Sequence, residues 1–309
     1  MAFQHTRPKK PEIQKSATPW LRLKEKLAPY PFIAPFFLGF AVFQLLPIAF
    51  SLYLSFSQWN GMSAIQFSGL QNFIDMFQDA KFWNALRVTF IITVFCTIVG
   101  TVGATALAVL LEKVEDRLAS ILRVFFFLPS VTSVVVIGYI WKQLYSSDYG
   151  FFNSLLLRLG LPHQDWLTDP KLALPALLLM LIWAGLGWDA LIITAGLRSI
   201  PDELYDAGKV DGTNGWTEFR YLTLPLLQPT LLFVLVTGVI FLWGIFAQPS
   251  VLTGGGPLRQ TQTIAMYLYD VGFRYHKFGY ASSIAIILSL IMFLSSYLNF
   301  RFVKSESEY

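Results

Sequence analysis

Residues 88–111 read VTFIITVFCTIVGTVGATALAVLL, a run without a single Asp, Glu, Lys or Arg. A helix rises ~1.5 Å per residue, so ~20 apolar residues cross a hydrocarbon layer ~30 Å thick. This run is long enough, and it has company. The same four residue types are absent from 27–74, 124–141, 221–258 and 278–300, and 172–197 is interrupted only by Asp189. Backbone N–H and C=O groups find no water in lipid, so such runs must close their hydrogen bonds internally as helices. The expected spans are 30–56, 84–112, 120–143, 173–197, 224–248 and 277–302. The fold class is therefore an all-α integral membrane protein with six transmembrane helices.

Composition points the same way. Of 309 residues 55% are apolar and 14% charged, with a mean hydropathy of +0.54; a soluble domain carries roughly 25% charge. The net charge of +4 does not imply nucleic acid, because the basic residues gather at the ends of the apolar runs. They act as topology signals. Six spans put both termini on one side, and that side holds fifteen of the 23 Lys and Arg residues, so both termini are expected in the cytoplasm. Residues 1–29 and 303–309 are then cytoplasmic tails around a membrane domain at 30–302, with 1–19 too polar and Pro/Lys-rich to order.

The single Cys96 falls inside a span and the three histidines (His5, His163, His276) are scattered, leaving no disulfide framework and no metal centre. The first apolar run starts late, is long and lacks a small-x-small cleavage site, which reads as an uncleaved anchor. Prolines 35, 47, 129 and 175 predict kinks. Residues 58–83, less apolar, predict an external loop carrying a short amphipathic helix. Gly100, Ala104 and Ala108 share one stripe, the spacing that lets membrane helices approach closely.

The stretch between the fourth and fifth spans is SIPDELYDAGKVDGTNGWTEFRYLTLP, residues 199–225. Pro201 followed by Asp202 and Glu203 suits a helix start; that helix should run to about Lys209. Asp211-Gly212 breaks it, and a second helix from about Asn214 to Tyr221 leads back to the membrane. The result is a helix-turn-helix knob. Asp206-Ala207-Gly208, then Gly212, then Leu222-Thr223-Leu224-Pro225 fall without a gap on the spacing Glu-Ala-Ala, three residues, Gly, nine residues, Ile-x-Leu-Pro. That pattern resembles the cytoplasmic signature of permeases in binding-protein-dependent ATP-binding-cassette importers. Phe127-Leu-Pro-Ser, Ile140-Trp-Lys, Gly150-x-x-Asn153 and Leu252-Thr-Gly-Gly-Gly-Pro257 are similar to the maltose- and glycerol-phosphate-type branch, which carries sugars.

The resemblance implies a type I importer fold in a bacterial or archaeal cytoplasmic membrane. It implies a second homologous permease, two ATPase subunits that bind ATP and Mg, a solute-binding protein, and a sugar or polyol substrate. No cofactor is expected on this chain, which is non-catalytic. Glu203, Asp206, Ala207, Gly208, Asp211, Gly212, Leu224 and Pro225 would form the ATPase-coupling element. Trp183, Gly185, Trp188 and Asp189, with Phe241 and Trp243 on the facing helix, align beside the sugar path. Gly254, Gly255, Gly256 and Pro257 resemble a loop that meets the binding protein. For Asp189 the residues leave two readings open: an acceptor for a polyol, or an acid tied to another helix or to Arg198. No Gly-Lys-Ser/Thr phosphate loop occurs, so the ATPase must be another chain. Two rivals stand against this: an ion-coupled secondary carrier, for which buried ionisable groups and repeats are scarce, and a membrane-embedded transferase using Asp202, Glu203, Asp206 and Asp211, which alternate helical faces separate.

Overall fold

Proline and glycine, more than apolar content, decide where the long runs stay straight. The computed structural model describes residue 20 and residues 27–302, and the expected tails lie almost wholly outside them. The chain divides into two compact units, residues 1–51 and 52–309. Helix α1, Tyr30–Ser55, crosses that division. Through residue 50 it buries no side chain, and a π-helical turn at Ala41–Leu45 precedes Pro47. The wider i→i+5 turn absorbs the N–H that Pro47 cannot donate.

In the second unit, β1 (Ser57–Gln58) pairs antiparallel with β2 (Gln66–Phe67), a small exception to the all-α expectation. The amphipathic helix α2 (Gln71–Gln78) follows, as expected of this loop. Asp79 then caps α3 (Ala80–Glu112), its carboxylate accepting from the Lys81 amide at 2.8 Å. At 33 residues α3 is about 50 Å long. It packs against α7 (Ala173–Leu197), and the small stripe explains part of that contact. Ala104 and Ala108 are fully buried with Ala190 and Ile193. Gly100 is buried too, but a Cβ there would meet nothing within 4 Å. Pro175 lies in the first turn of α7, where its missing N–H has no intrahelical partner to lose. It makes no kink.

Two expected spans need correction. The run 120–143 is not one helix: α4 (Asp116–Val131) and α5 (Val134–Leu144) meet at 104°. Pro129 removes a backbone donor, Thr132 and Ser133 are extended, and the Thr132 hydroxyl takes the Leu128 carbonyl at 2.8 Å. The run 224–248 is also divided. Helix α9 (Gly215–Leu226) bends by 65° into α10 (Gln228–Trp243), and Gly244 separates α10 from α11 (Ala247–Leu252). Pro225 and Pro229 bracket the bend. Between α5 and α7 lies α6 (Phe151–Arg158), between α7 and α9 lies α8 (Asp202–Val210), and the chain continues through α12 (Ile264–Tyr269) to α13 (Phe278–Phe302). Among the described residues, α1, α3, α7 and α13 are each long and apolar enough to cross a membrane, and the total is six when each bent pair is counted as one span.

Close backbone contacts lock these breaks in place. A Cβ on Gly187 of α7 would sit 1.9 Å from the Phe126 carbonyl oxygen of α4, so only glycine lets the two backbones meet there. Three buried clusters sit around α3: Ile92 with Leu177, Met180 and Ile245; Phe82 with Ile264 and Ile284; and Ala104 with Ile193 and Leu227.

Candidate functional site

The knob forms as its residues dictate. Pro201, in extended conformation, precedes α8, and Asp202 and Glu203 occupy the first turn while Lys209 occupies the last, so all three charges complement the helix dipole. Gly212 adopts φ +77° and ends the helix. The Thr213 amide returns to the Gly208 carbonyl at 3.0 Å. Asn214 is the cap of α9 rather than its first residue, its side-chain oxygen accepting from the Trp216 and Thr217 amides at 3.1 and 3.0 Å. A π-helical stretch at Phe219–Thr223 then runs into Leu224-Pro225.

Of the expected coupling residues, Glu203, Asp206, Ala207, Asp211, Gly212 and Pro225 are exposed, Leu224 is half-buried, and Gly208 is buried against Thr213. A Cβ on Gly208 would lie 3.0 Å from the Thr213 hydroxyl, so a small residue is required at that position. Asp206 pairs with Lys209 at 2.9 Å, with both side chains about two-thirds exposed or more. Such a pair contributes little, and the carboxylate stays available to another partner. The knob also exposes apolar groups: Val210 is 88% exposed, Trp216 71% and Tyr221 77%.

Sequence reasoning missed how the knob is rooted. Ile200 and Leu227 are buried in the cluster with Ala104, Ala108 and Ile193, and the Tyr205 hydroxyl meets the Thr223 hydroxyl at 3.3 Å. At its foot, Glu112 on α3 accepts from Arg123 of α4 and Arg198 after α7, each at 3.0 Å. This three-element ion pair also answers one open question. Arg198 is engaged with Glu112, not with Asp189. A cavity of about 520 Å³ runs between that foot and the knob, lined by Glu112, Arg198, Asp202, Tyr205 and Glu218 among others.

The expected path residues do not all converge. Gly185, Trp188 and Asp189, spaced i, i+3 and i+4, share one face of α7. Trp183 falls on another and packs edge-on to Trp141 at 5.5 Å. Trp188 is half-exposed and stacks on Phe127 at 6.1 Å; Asp189 is half-buried and makes no hydrogen bond or ion pair among the described residues. On α10, Phe241 is exposed whereas Trp243 is buried beside Phe90. Leu242 and Ile245 are buried as well.

The glycine run forms a fixed loop. Gly254 and Gly255 have φ +63° and +87°, Gly256-Pro257 is cis, and Thr261 donates to the Gly256 carbonyl at 2.7 Å. The loop lies at the start of α3, since Asn84 donates to the Arg259 carbonyl at 2.9 Å and Thr89 accepts from the Ile264 amide at 2.8 Å. The groove beneath the knob, lined by Glu112 and Lys113, lies at the other end of α3. Among the described residues no group of three or more His, Cys, Asp or Glu is placed to hold a metal ion, so the four knob acids do not make the cluster a metal-dependent transferase would need.

Residues 104–306 match the family described as binding-protein-dependent transport system inner membrane component. This chain belongs to that family. It is a multi-pass permease subunit of the inner membrane, without catalytic machinery of its own. Its relatives include the probable ABC transporter permease protein YurN of Bacillus subtilis, 31% identical across 92% of this chain and 99% of that protein. The lactose transport system permease protein LacF of Rhizobium radiobacter is 33% identical across 87% of this chain and 91% of that protein. In structure the permease is similar to a chain of a bacterial alginate ABC transporter crystallised with an alginate-bound periplasmic protein, with a TM-score of 0.82 across 94% of this chain and 99% of that one at 21% identity. That likeness fixes the fold as the type I importer transmembrane domain.

Proposed function

We propose that this permease, with a second homologous permease, forms the path by which a sugar, oligosaccharide or polyol delivered by an external binding protein crosses the membrane. Two separate ATPase subunits, which hold ATP and Mg, drive the cycle. The observation that carries the reading is the knob: exposed acids and apolar side chains on a two-helix tip, with a root buried against α3 and α7. A rigid root lets a displacement of the tip reach the membrane helices instead of dissipating in a loop. In this orientation the knob and both termini face the cytoplasm and the Gly254–Pro257 loop faces the binding protein. Relatives named for lactose and for arabinooligosaccharides support the substrate class.

In this mechanism Asp206 exchanges Lys209 for a basic residue of the ATPase, while Trp216 and Val210 fill apolar recesses around it. Gly212 supplies the turn that a side chain would strain. On α7, Gly185 leaves room beside Trp188 and Asp189, an aromatic face next to an acceptor without a partner among the described residues, which suits a hydroxylated solute. In the reconstituted complex Asp206→Lys is expected to abolish uptake and the stimulation of ATP hydrolysis by loaded binding protein, with the protein still in the membrane; normal uptake would contradict the assignment. Trp188→Ala and Asp189→Asn are expected to weaken apparent affinity for solute, and unchanged affinity in both would remove this face from the path.

A further inference from the structure

A second cavity, about 750 Å³, opens at the end of α3 opposite the groove beneath the knob. Its walls come from the β1–β2 hairpin, α2, the start of α3 and the segment 267–280. None of the coupling or path residues lines it. The volume is that of small-molecule sites, which span ~300–1,000 Å³.

The basin is built rigidly. Asn72, buried, donates to the carbonyls of Ser55 and Ser57 at 3.0 and 2.8 Å. A Cβ on Gly279 would stand 1.9 Å from the Ser57 carbonyl oxygen, and the Phe278 amide donates to the Trp59 carbonyl at 3.0 Å. Trp59 lies against Phe278, ring centres 5.4 Å apart. Asp79 receives the hydroxyls of Tyr267 and Tyr280 as well as the Lys81 amide. Burial alone would raise its pKa, but these three hydrogen bonds and the Lys81 charge hold the carboxyl below its usual value. With both hydroxyls donated, the two tyrosine oxygens remain acceptors toward the basin.

The rest of the lining offers what a polyhydroxylated ligand needs. Gln58, Gln66, Tyr275 and the Lys277 ammonium make no side-chain hydrogen bond among the described residues. Two lysines, Lys81 and Lys277, balance two acids, Asp75 and Asp79, so the field does not select strongly for either sign. Aromatic rings, free amides and balanced charge recognise hydroxyls and C–H faces rather than a charged group.

We infer that this basin is a binding site for a neutral oligosaccharide, separate from the translocation path. It would hold sugar at the face where the binding protein delivers it. That placement and the choice of probes rest on the importer reading above; the site itself rests on its lining. The test uses the full complex of both permeases and the ATPase in lipid nanodiscs, without binding protein. Saturation-transfer NMR is recorded with maltotriose, with lactose and with trigalacturonate. Transfer to one of the neutral sugars is expected. Tyr275→Ala, which removes a ring face and a hydroxyl, should weaken it about tenfold, and Gln66→Ala should weaken it less. Both side chains are exposed and unbonded, so neither change threatens the fold.

Absence of transfer to both neutral sugars, or transfer indifferent to both basin variants, would overturn the site. Stronger transfer to trigalacturonate would overturn its neutral character. If the variants instead abolish stimulation by binding protein while no sugar signal exists, the basin is a protein-docking recess and the inference fails. Failure of the importer reading would show separately, as normal uptake by Asp206→Lys.

Discussion

The two ends of α3 are built on opposite plans. At the coupling end, Glu203, Asp206 and Asp211 point outward from a knob whose turn meets no neighbour: a Cβ on Gly212 would find nothing within 4 Å. At the basin end, the acid Asp79 is already claimed by two tyrosines and a backbone amide, and glycine is compressed against a carbonyl. One end sets its acids on an exposed tip, while the other ties an acid and an amide, Asp79 and Asn72, into the walls of a cavity.

Glycine substitution should break this contrast most visibly. Gly279→Ala drives a Cβ into the Ser57 carbonyl, and a loss of about 3 kcal/mol is expected, at the upper end of overpacking costs, read as thermal unfolding in detergent. Gly212→Ala meets open space and suffers only the left-handed backbone angle, a cost of about 1 kcal/mol. Equal losses at the two glycines would mean that the ends are not organised as described.

Asp79 sharpens the comparison through pH. The hydrogen bonds from Tyr267, Lys81 and Tyr280 outweigh burial and hold its folded pKa below the usual carboxylate value, so the folded state favours the carboxylate. The stability this contributes is complete above the unfolded pKa and is lost as pH falls from about 4 through the folded value. Asp79→Asn should therefore be less stable than the parent at neutral pH, with the gap closing below about pH 4; a gap that persists into acid would exclude the ionised carboxylate as its source. The smallest effect is expected at the knob. Hydrogen bonding to Asp206 raises the pKa of Lys209, but the pair is solvent-exposed, so Lys209→Ala should leave the unfolding temperature unchanged within error.

Much of this was readable in the chain. The run 88–111 could only be a helix, and the spacing from Asp206 to Pro225 placed a two-helix knob with its turn at Gly212. The breaks in 120–143 and 224–248 were harder to see. Pro129 was visible, yet a single proline in lipid is as compatible with a gentle kink as with a 104° turn. What favours the turn is Gly187, on another helix 58 positions along the chain from Pro129, which leaves room for the Phe126 carbonyl where a Cβ would stand 1.9 Å from its oxygen. The path residues divide for a related reason. Periodicity puts Gly185, Trp188 and Asp189 on one face of α7, but only packing shows that Trp243 turns inward to Phe90.

The linear chain by itself determined that this protein lives in a bilayer, which stretches supply its long apolar helices, and which loop carries the signature of its family, because hydropathy, helix length and turn chemistry are local properties. Tertiary structure alone decided which runs bend, how Glu112 gathers Arg123 and Arg198, and that Asp79, Tyr267 and Tyr280 meet across a basin. Those outcomes depend on atoms far apart in sequence competing for the same space and the same hydrogen bonds, a contest settled only when the helices pack.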